Sequence, residues 1–312
     1  MRAHILRHMW RVGPIGLVAF ACALRAQDST FSTDVKVVNL TATVRDRDGR
    51  FVQDLTKEDF VVQEEGRPQA IRYFAHESNL PLAIGLLVDT SCSQMRVLES
   101  ERTASYKFLD QVLRGDDEAF VLHFDFKVSL LQSFTSSREE LATAFSSLSR
   151  PEHCNTLLYD AIHDASEQLM KKHDGRKAFV VLSDGGDVRS QYSIGTAIEF
   201  AQRADTIIYS VLFANRQMIG HPVAMAVQAG YLAHGRNVMR RLAQETGGGY
   251  FAVSKENSIE SVYAKIEDEL RSQYSIGYTS DQIEGNKTFR KIALTTKNKE
   301  LIVRTRAGYY PK

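Results

Sequence analysis

Asp89-Thr90-Ser91-Cys92-Ser93 sets one carboxylate and two hydroxyls side by side, directly after the apolar run Leu82 to Val88. These are hard oxygen donors, a set suited to Mg²⁺, Mn²⁺ or Ca²⁺ rather than to zinc or copper. One short segment does not surround an ion, so further oxygens must come from elsewhere in the chain. Thr156 offers one, at the head of a helical stretch after Glu152-His153-Cys154-Asn155. Asp184 offers another, in Ser183-Asp184-Gly185-Gly186-Asp187 at the end of a second apolar run. Asp187 stays open between a supporting role at that site and a turn or helix-cap aspartate. The histidines His123, His153, His163 and His221 make no Ser–His–acid order and no zinc spacing, and read as structural. Gly247-Gly248-Gly249 lacks a phosphate-loop context and reads as a helix-to-strand turn.

The elements that must position these residues alternate. Leu82 to Val88 and Ala178 to Leu182 are continuous apolar runs, as expected of strands buried on both faces of a parallel sheet. Ala119 to Phe124 and Val128 to Leu131 read as two strands joined tightly, and Thr206 to Phe213 and Tyr250 to Val253 as two more. Helical patterns cover about Arg96 to Leu113, Ser137 to Leu148, Leu157 to Lys171, Thr196 to Arg203, Val238 to Thr246 and Ile259 to Leu270. Such alternation predicts an α/β fold, a doubly wound, mostly parallel, Rossmann-like sheet over residues 80–270. Asp89 and Asp184 then stand at carboxyl ends of strands, the edge where open α/β sheets bind ligands. About 25 residues, from Ala214 to Asn237, leave that same edge; connections this long are often functional. They predict a loop or short helix beside the site, shaping what docks.

Both flanks look different. Asp34 to Arg45 alternates as a half-buried strand, followed by turn chemistry at Asp46-Arg47-Asp48-Gly49 and short strands at Asp59 to Gln63 and Gln69 to Phe74. The tail repeats the style at Gln273 to Tyr278, Phe289 to Thr295 and Leu301 to Arg306. Neither piece, 28–79 or 271–312, is large enough to bury its own face. The two together predict one small β-sandwich, since domain termini often lie close in space.

The chain has 312 residues, 43% of them hydrophobic and 25% charged, which suits a globular protein with a substantial core. Residues 1–26 carry four arginines and no acid, an apolar run from Val12 to Leu24, and small residues near Ala26. They read as a signal peptide and predict export to the periplasm or beyond. An uncleaved anchor, or lipidation at Cys22, are the alternatives. The run is short for a membrane span, and no other segment resembles one. Without residues 1–26 there are 35 basic against 38 acidic side chains, no footprint for nucleic acid.

Taken in order, DxSxS after the first buried strand, Thr before a helix and SDG after a later strand resemble the metal-ion-dependent adhesion site (MIDAS) of von Willebrand factor A (VWA) domains. Val44 to Gly66 (VRDRDGRFVQDLTKEDFVVQEEG) and the closing Gly308-Tyr309-Tyr310 narrow the likeness to exported VWA-domain proteins of acidobacteria. The resemblance implies a divalent cation, Mg²⁺ first, held directly by Ser91, Ser93 and Thr156, and through water by Asp89 and Asp184. It implies an open position filled by an acidic group of a protein partner, and a binding module rather than an enzyme. A metal-dependent hydrolase using Asp89 and Asp184, and a structural subunit of an envelope assembly, are the competing readings. Where the family has glycines, this chain has Cys92 and Cys154, its two cysteines beyond residues 1–26. In an oxidising compartment they read as a disulfide clamping two metal loops.

Overall fold

The computed structural model describes residues 37–76, 81–95, 97–148, 154–213, 222–282 and 288–311, all within one compact unit, Lys36–Lys312. The expectations for residues 1–26 lie outside the described residues, as do His153 and His221.

In chain order the first four strands are β1 (Val37–Arg45), β2 (Phe60–Glu64), β3 (Arg67–Gln69) and β4 (Ile71–His76). The middle of the chain runs β5 (Leu82–Asp89), α1 (Leu98–Val112), β6 (Glu118–Phe124), β7 (Val128–Thr135), α2 (Arg138–Ser147) and α3 (Leu158–Asp164). It continues with β8 (Arg176–Ser183), α4 (Ile194–Arg203), β9 (Thr206–Leu212), α5 (Pro222–Thr246), β10 (Tyr250–Ala252) and α6 (Ile259–Arg271). The last strands are β11 (Gln273–Thr279), β12 (Arg290–Thr296), β13 (Ile302–Arg304) and β14 (Gly308–Tyr309).

The central sheet has the order β10-β9-β8-β5-β6-β7, parallel except for the antiparallel β6–β7 edge. Every residue of β5 is buried, because helices cover both faces. Leu82, Ile84, Leu86 and Val88 face α1, α2 and α6; Ala83 and Leu87 face α3, α4 and α5. This is the doubly wound α/β sheet that strand–helix alternation predicts.

N- and C-terminal strands build the sandwich jointly, as expected. One sheet is ordered β13-β1-β11-β4 and the other β14-β12-β2-β3. Between them Leu40, Val62, Tyr274, Ile276, Tyr278 and Leu294 form a separate core. β1 pairs with β11 along seven residues, from Val37↔Thr279 to Thr43↔Gln273, so the tail closes on the start of the unit.

Two expectations need correction. Gln69 to Phe74 is not one strand: Gln69 ends β3 opposite Val62, while Ile71 starts β4 opposite Tyr278 in the other sheet. The Glu65-Gly66 turn, with both φ values positive (49° and 77°), fixes the β2–β3 hairpin, and the chain then changes sheets at Ala70. Of the stretch Ala214 to Asn237, residues 214–221 lie outside the described residues, and the remainder is not a separate loop or short helix either. From Pro222 onward it is the first half of α5, a 25-residue helix that runs unbroken into Val238 to Thr246. Pro222 sits where a proline is tolerated, at the start of the helix. Gln228, Leu232, Gly235 and Met239 recur at helical spacing on the side that packs inward.

Candidate metal centre

The DxSxS loop, the segment before α3 and the loop after β8 meet at the carboxyl edge of the central sheet. They share a cleft of about 520 Å³ lined by Ser91, Ser93, Thr156, Asp184 and Asp187. Asp89 lies beneath it, fully buried, as the last residue of β5. One Asp89 oxygen accepts the Ser91 N–H at 2.9 Å, and the other accepts the Ser183 hydroxyl at 2.6 Å. The Ser91 and Ser93 hydroxyls stand 3.1 Å apart. Asp184 accepts the Gly186 N–H at 2.9 Å through Oδ1. The structure therefore gathers all five sequence-predicted donors at one place.

Three stitches hold the loops in register. Cys92 and Cys154 form a disulfide, Cα atoms 5.0 Å apart, joining the DxSxS loop to the Thr156 segment. The Val188 N–H donates to the Thr156 carbonyl at 2.7 Å, joining that segment to the Asp184 loop. Asp187 and Asp160 then cross over. Asp187 accepts the Tyr159 N–H (3.2 Å) at the start of α3, while Asp160 accepts the Gln191 and Tyr192 N–H groups (2.8 and 3.1 Å). Asp187 also accepts the Ser190 hydroxyl at 2.6 Å. Asp187 thus ties the Asp184 loop to the start of α3.

A fourth support is backbone against backbone. Gly185 has φ +79°, and a Cβ there would meet the Gly235 carbonyl oxygen at 2.2 Å. A Cβ on Gly235 would meet the Asp184 carbonyl oxygen at 2.0 Å. Helix α5 thus presses directly on the metal loop, and no side chain fits between.

The electrostatics are one-sided. Burial first, and then the neighbouring Asp184, push the Asp89 carboxyl up to about 7, against the pull of the Ser183 and Ser91 hydrogen bonds. On α1, Glu101 is also fully buried, and neither of its carboxyl oxygens has a hydrogen-bond partner. Burial, then Asp89 and Asp184, raise it well above its ordinary value. A buried acid group without cationic compensation is costly, and a divalent cation in the cleft supplies the missing charge. The hydroxyl-rich donor set fits a hard cation of the Mg²⁺ type. Among the described residues no group of three or more His, Cys, Asp or Glu is placed to hold a metal.

Among solved structures, the chain is similar to proximal thread matrix protein 1 from the mussel byssus, with 10% identity over 67% of this chain and 51% of that one, and a TM-score of 0.51. It thus spans about half the length of the mussel protein. It also matches the vWF domain of the type V pili tip protein Mfa5 from Porphyromonas gingivalis (10% identity, 62% of this chain, 95% of that one, TM-score 0.47). A third match is an aerotolerance-related membrane protein from Bacteroides fragilis (14% identity, 61% and 98%, TM-score 0.46). What is shared is the fold. No family model and no curated protein matches the sequence.

Three contributors escaped the sequence reading. Ser183 was seen only as part of a motif, yet it hydrogen-bonds Asp89. Glu101 sits on the core face of α1 with Leu98, Ser105 and Phe108, a spacing that marks an acid in an apolar stripe. Gly235 gives no signal, since nothing local tells what a helical glycine abuts. His123 pairs with the Thr90 hydroxyl (3.0 Å), and His163 pairs with Asp164 (3.0 Å) and stacks on Tyr192.

Proposed function

We propose that this chain is an exported, cation-dependent protein-binding module that engages an acidic group of its partner through a metal held by Ser91, Ser93, Thr156, Asp89 and Asp184. The observation that supports it most is the pair Asp89 and Asp184 at the cleft, paired with no Lys or Arg among the described residues, with three hydroxyls beside them. The three hydroxyls bind the ion and the two carboxylates orient its remaining shell. A bound cation whose charge these groups neutralise only in part attracts a carboxylate from outside. The module is read as non-catalytic: the cleft pairs no nucleophile with a base.

Export rests on residues 1–26 and on the disulfide, which persists in oxidising compartments. Among the described residues no helix is long and apolar enough to cross a membrane.

Calorimetric titration of the metal-stripped protein with Mg²⁺, Mn²⁺, Ca²⁺ and Zn²⁺ tests the reading. Zn²⁺ is included because the mussel protein is known with a zinc-occupied MIDAS motif. One site is expected, filled best by Mg²⁺ or Mn²⁺ and weakened at least about tenfold in Thr156→Ala, the scale of one lost ligand. Binding of no ion, or equal binding by Asp184→Ala, overturns it. Turnover of a phosphoester by the metal-loaded protein overturns the non-catalytic part.

A further inference from the structure

The cleft has a second wall that the metal does not use. Its far side is α5, which contributes Gln228, Tyr231, Leu232 and His234, while Val188 stands on the near side. Tyr231 is 75% exposed and Val188 49% exposed, and Leu232 is half-buried between them and the helix axis. Exposed apolar side chains scattered singly are ordinary, whereas here they stand together on the wall of a polar cleft, the setting of a ligand groove. Among the described residues neither Lys nor Arg lines the cleft; its acidic groups are Asp184 and Asp187, with His234 on the α5 side. A bound cation would therefore be its main positive charge, standing beside an apolar wall.

Resting on the metal reading above, we infer that the cleft selects a protein segment carrying a single carboxylate with a large apolar side chain two residues away. The carboxylate meets the cation, and the apolar side chain lies against Tyr231, Leu232 and Val188. Residues i and i+2 of an extended segment share one face about 7 Å apart, a separation that suits two adjoining subsites in one cleft. A cleft of about 520 Å³ has room for both side chains. A polyacidic segment is disfavoured, because its second carboxylate meets Asp187 and neutral walls instead of a basic rim. Gly235 is seated against Gly185, which sets the wall directly on the metal loop.

Fluorescence anisotropy with three labelled, C-terminally amidated peptides tests this on the purified protein: Ser-Gly-Asp-Gly-Leu-Ser, the same with Leu replaced by Gly, and the same with Asp replaced by Asn. With Mg²⁺ present, the Asp/Leu peptide is expected to bind about tenfold or more tighter than the Asp/Gly peptide, as burying one leucine allows. Tyr231→Ser/Leu232→Ser is expected to erase that preference and leave the Asp/Gly peptide unchanged. Equal binding of the two Asp peptides, a preference that survives the double substitution, or no binding of either up to millimolar concentration overturns the inference. Mn²⁺ titration of the same samples separates the two readings. Normal Mn²⁺ binding without peptide preference sinks the apolar subsite alone. Loss of Mn²⁺ binding together with equal affinity for the Asp and Asn peptides sinks the metal reading.

Discussion

Buried carboxylates occur at both ends of this molecule, and they are treated in opposite ways. In the sandwich Glu64 is fully buried, and it accepts from the Tyr278 and Ser280 hydroxyls (both 2.6 Å), from Arg290 (3.2 Å) and from Tyr309 (3.2 Å). Where the sandwich meets the α/β layer, Glu269 is likewise buried between Arg45 at 3.0 Å and Arg304 at 2.6 Å. Asp117 accepts the Leu82 and Arg114 N–H groups and pairs with Arg271 at 2.9 Å. At the metal face, Asp89 has only hydroxyl and amide donors, and Glu101 has none. The first set is complete as folded. The second lacks positive charge, and that deficit is what separates a structural acid from one waiting for a ligand.

The largest expected effect breaks the complete set. Arg290→Ala removes the cation that, among the described residues, pairs with Glu64 and leaves that carboxylate buried among hydroxyls. Removing one partner of a buried pair costs about 3–5 kcal/mol. Urea unfolding should show that loss equally in Mg²⁺ and in EDTA, because the sandwich does not touch the metal face. A loss that depends on Mg²⁺ would mean that the two regions are coupled.

Next comes the clamp. The Cys92–Cys154 disulfide spans 62 residues, and a loop of that length stabilises by about 4 kcal/mol on the chain-entropy model. Cys92→Ser/Cys154→Ser should lose up to that much stability. Unlike Arg290→Ala, it should also weaken Mg²⁺ binding, since the DxSxS loop and the Thr156 segment then connect indirectly, through the sheet and through the Asp89–Ser183 and Val188–Thr156 hydrogen bonds to the Asp184 loop. Unchanged Mg²⁺ affinity would reduce the disulfide to a global staple.

How much of this contrast was legible beforehand follows from what each feature depends on. The apolar run ending in Asp89 announces a strand buried on both faces, and the three donor loops are read from local pattern alone. Cys92 and Cys154 could be paired because their loops were expected to meet. The Glu64 network was not legible. Its members come from both ends of the chain, and their convergence depends on a register that only the folded β1–β11 and β2–β12 pairs fix. The first half of α5 was also lost, because Met225, Val227 and Tyr231 are apolar yet exposed and blur the helical period. Of the three, Tyr231 lines the cleft, where a local rule is expected to fail.

Gly235→Ala sharpens the comparison at a smaller scale. The added methyl would overlap the Asp184 carbonyl, so α5 or the metal loop must shift. Overpacking of this kind costs about 1–3 kcal/mol. The expected signature is a fall in Mg²⁺ affinity beyond the fall in stability, measured by calorimetry and by thermal unfolding in EDTA. An alanine variant with normal Mg²⁺ binding would show that the contact is mere packing.

Glu101→Leu carries the smallest change in energy and the sharpest sign. Replacing a paired acid such as Glu64 by leucine strands its partners, whereas Glu101 has no partner to strand. The leucine removes an unsatisfied buried carboxyl, whose burden is about 1–3 kcal/mol, so the metal-free variant should be more stable than the parent. The pH dependence runs with it. Burial and the neighbouring Asp89 and Asp184 raise Glu101 in the folded protein above its ordinary 4.5, so above that pH the folded state keeps a proton that the unfolded state releases. Stability from this group is therefore present below about pH 4.5 and lost as pH rises towards the raised value, at up to about 1.4 kcal/mol per pH unit. In EDTA the parent should show this decline and Glu101→Leu should show less of it. Mg²⁺ should flatten the parent's curve, because the ion offsets the two aspartates that help to raise Glu101. A variant less stable than the parent at pH 7 in EDTA would place Glu101 with Glu64, among the acids that hold the fold.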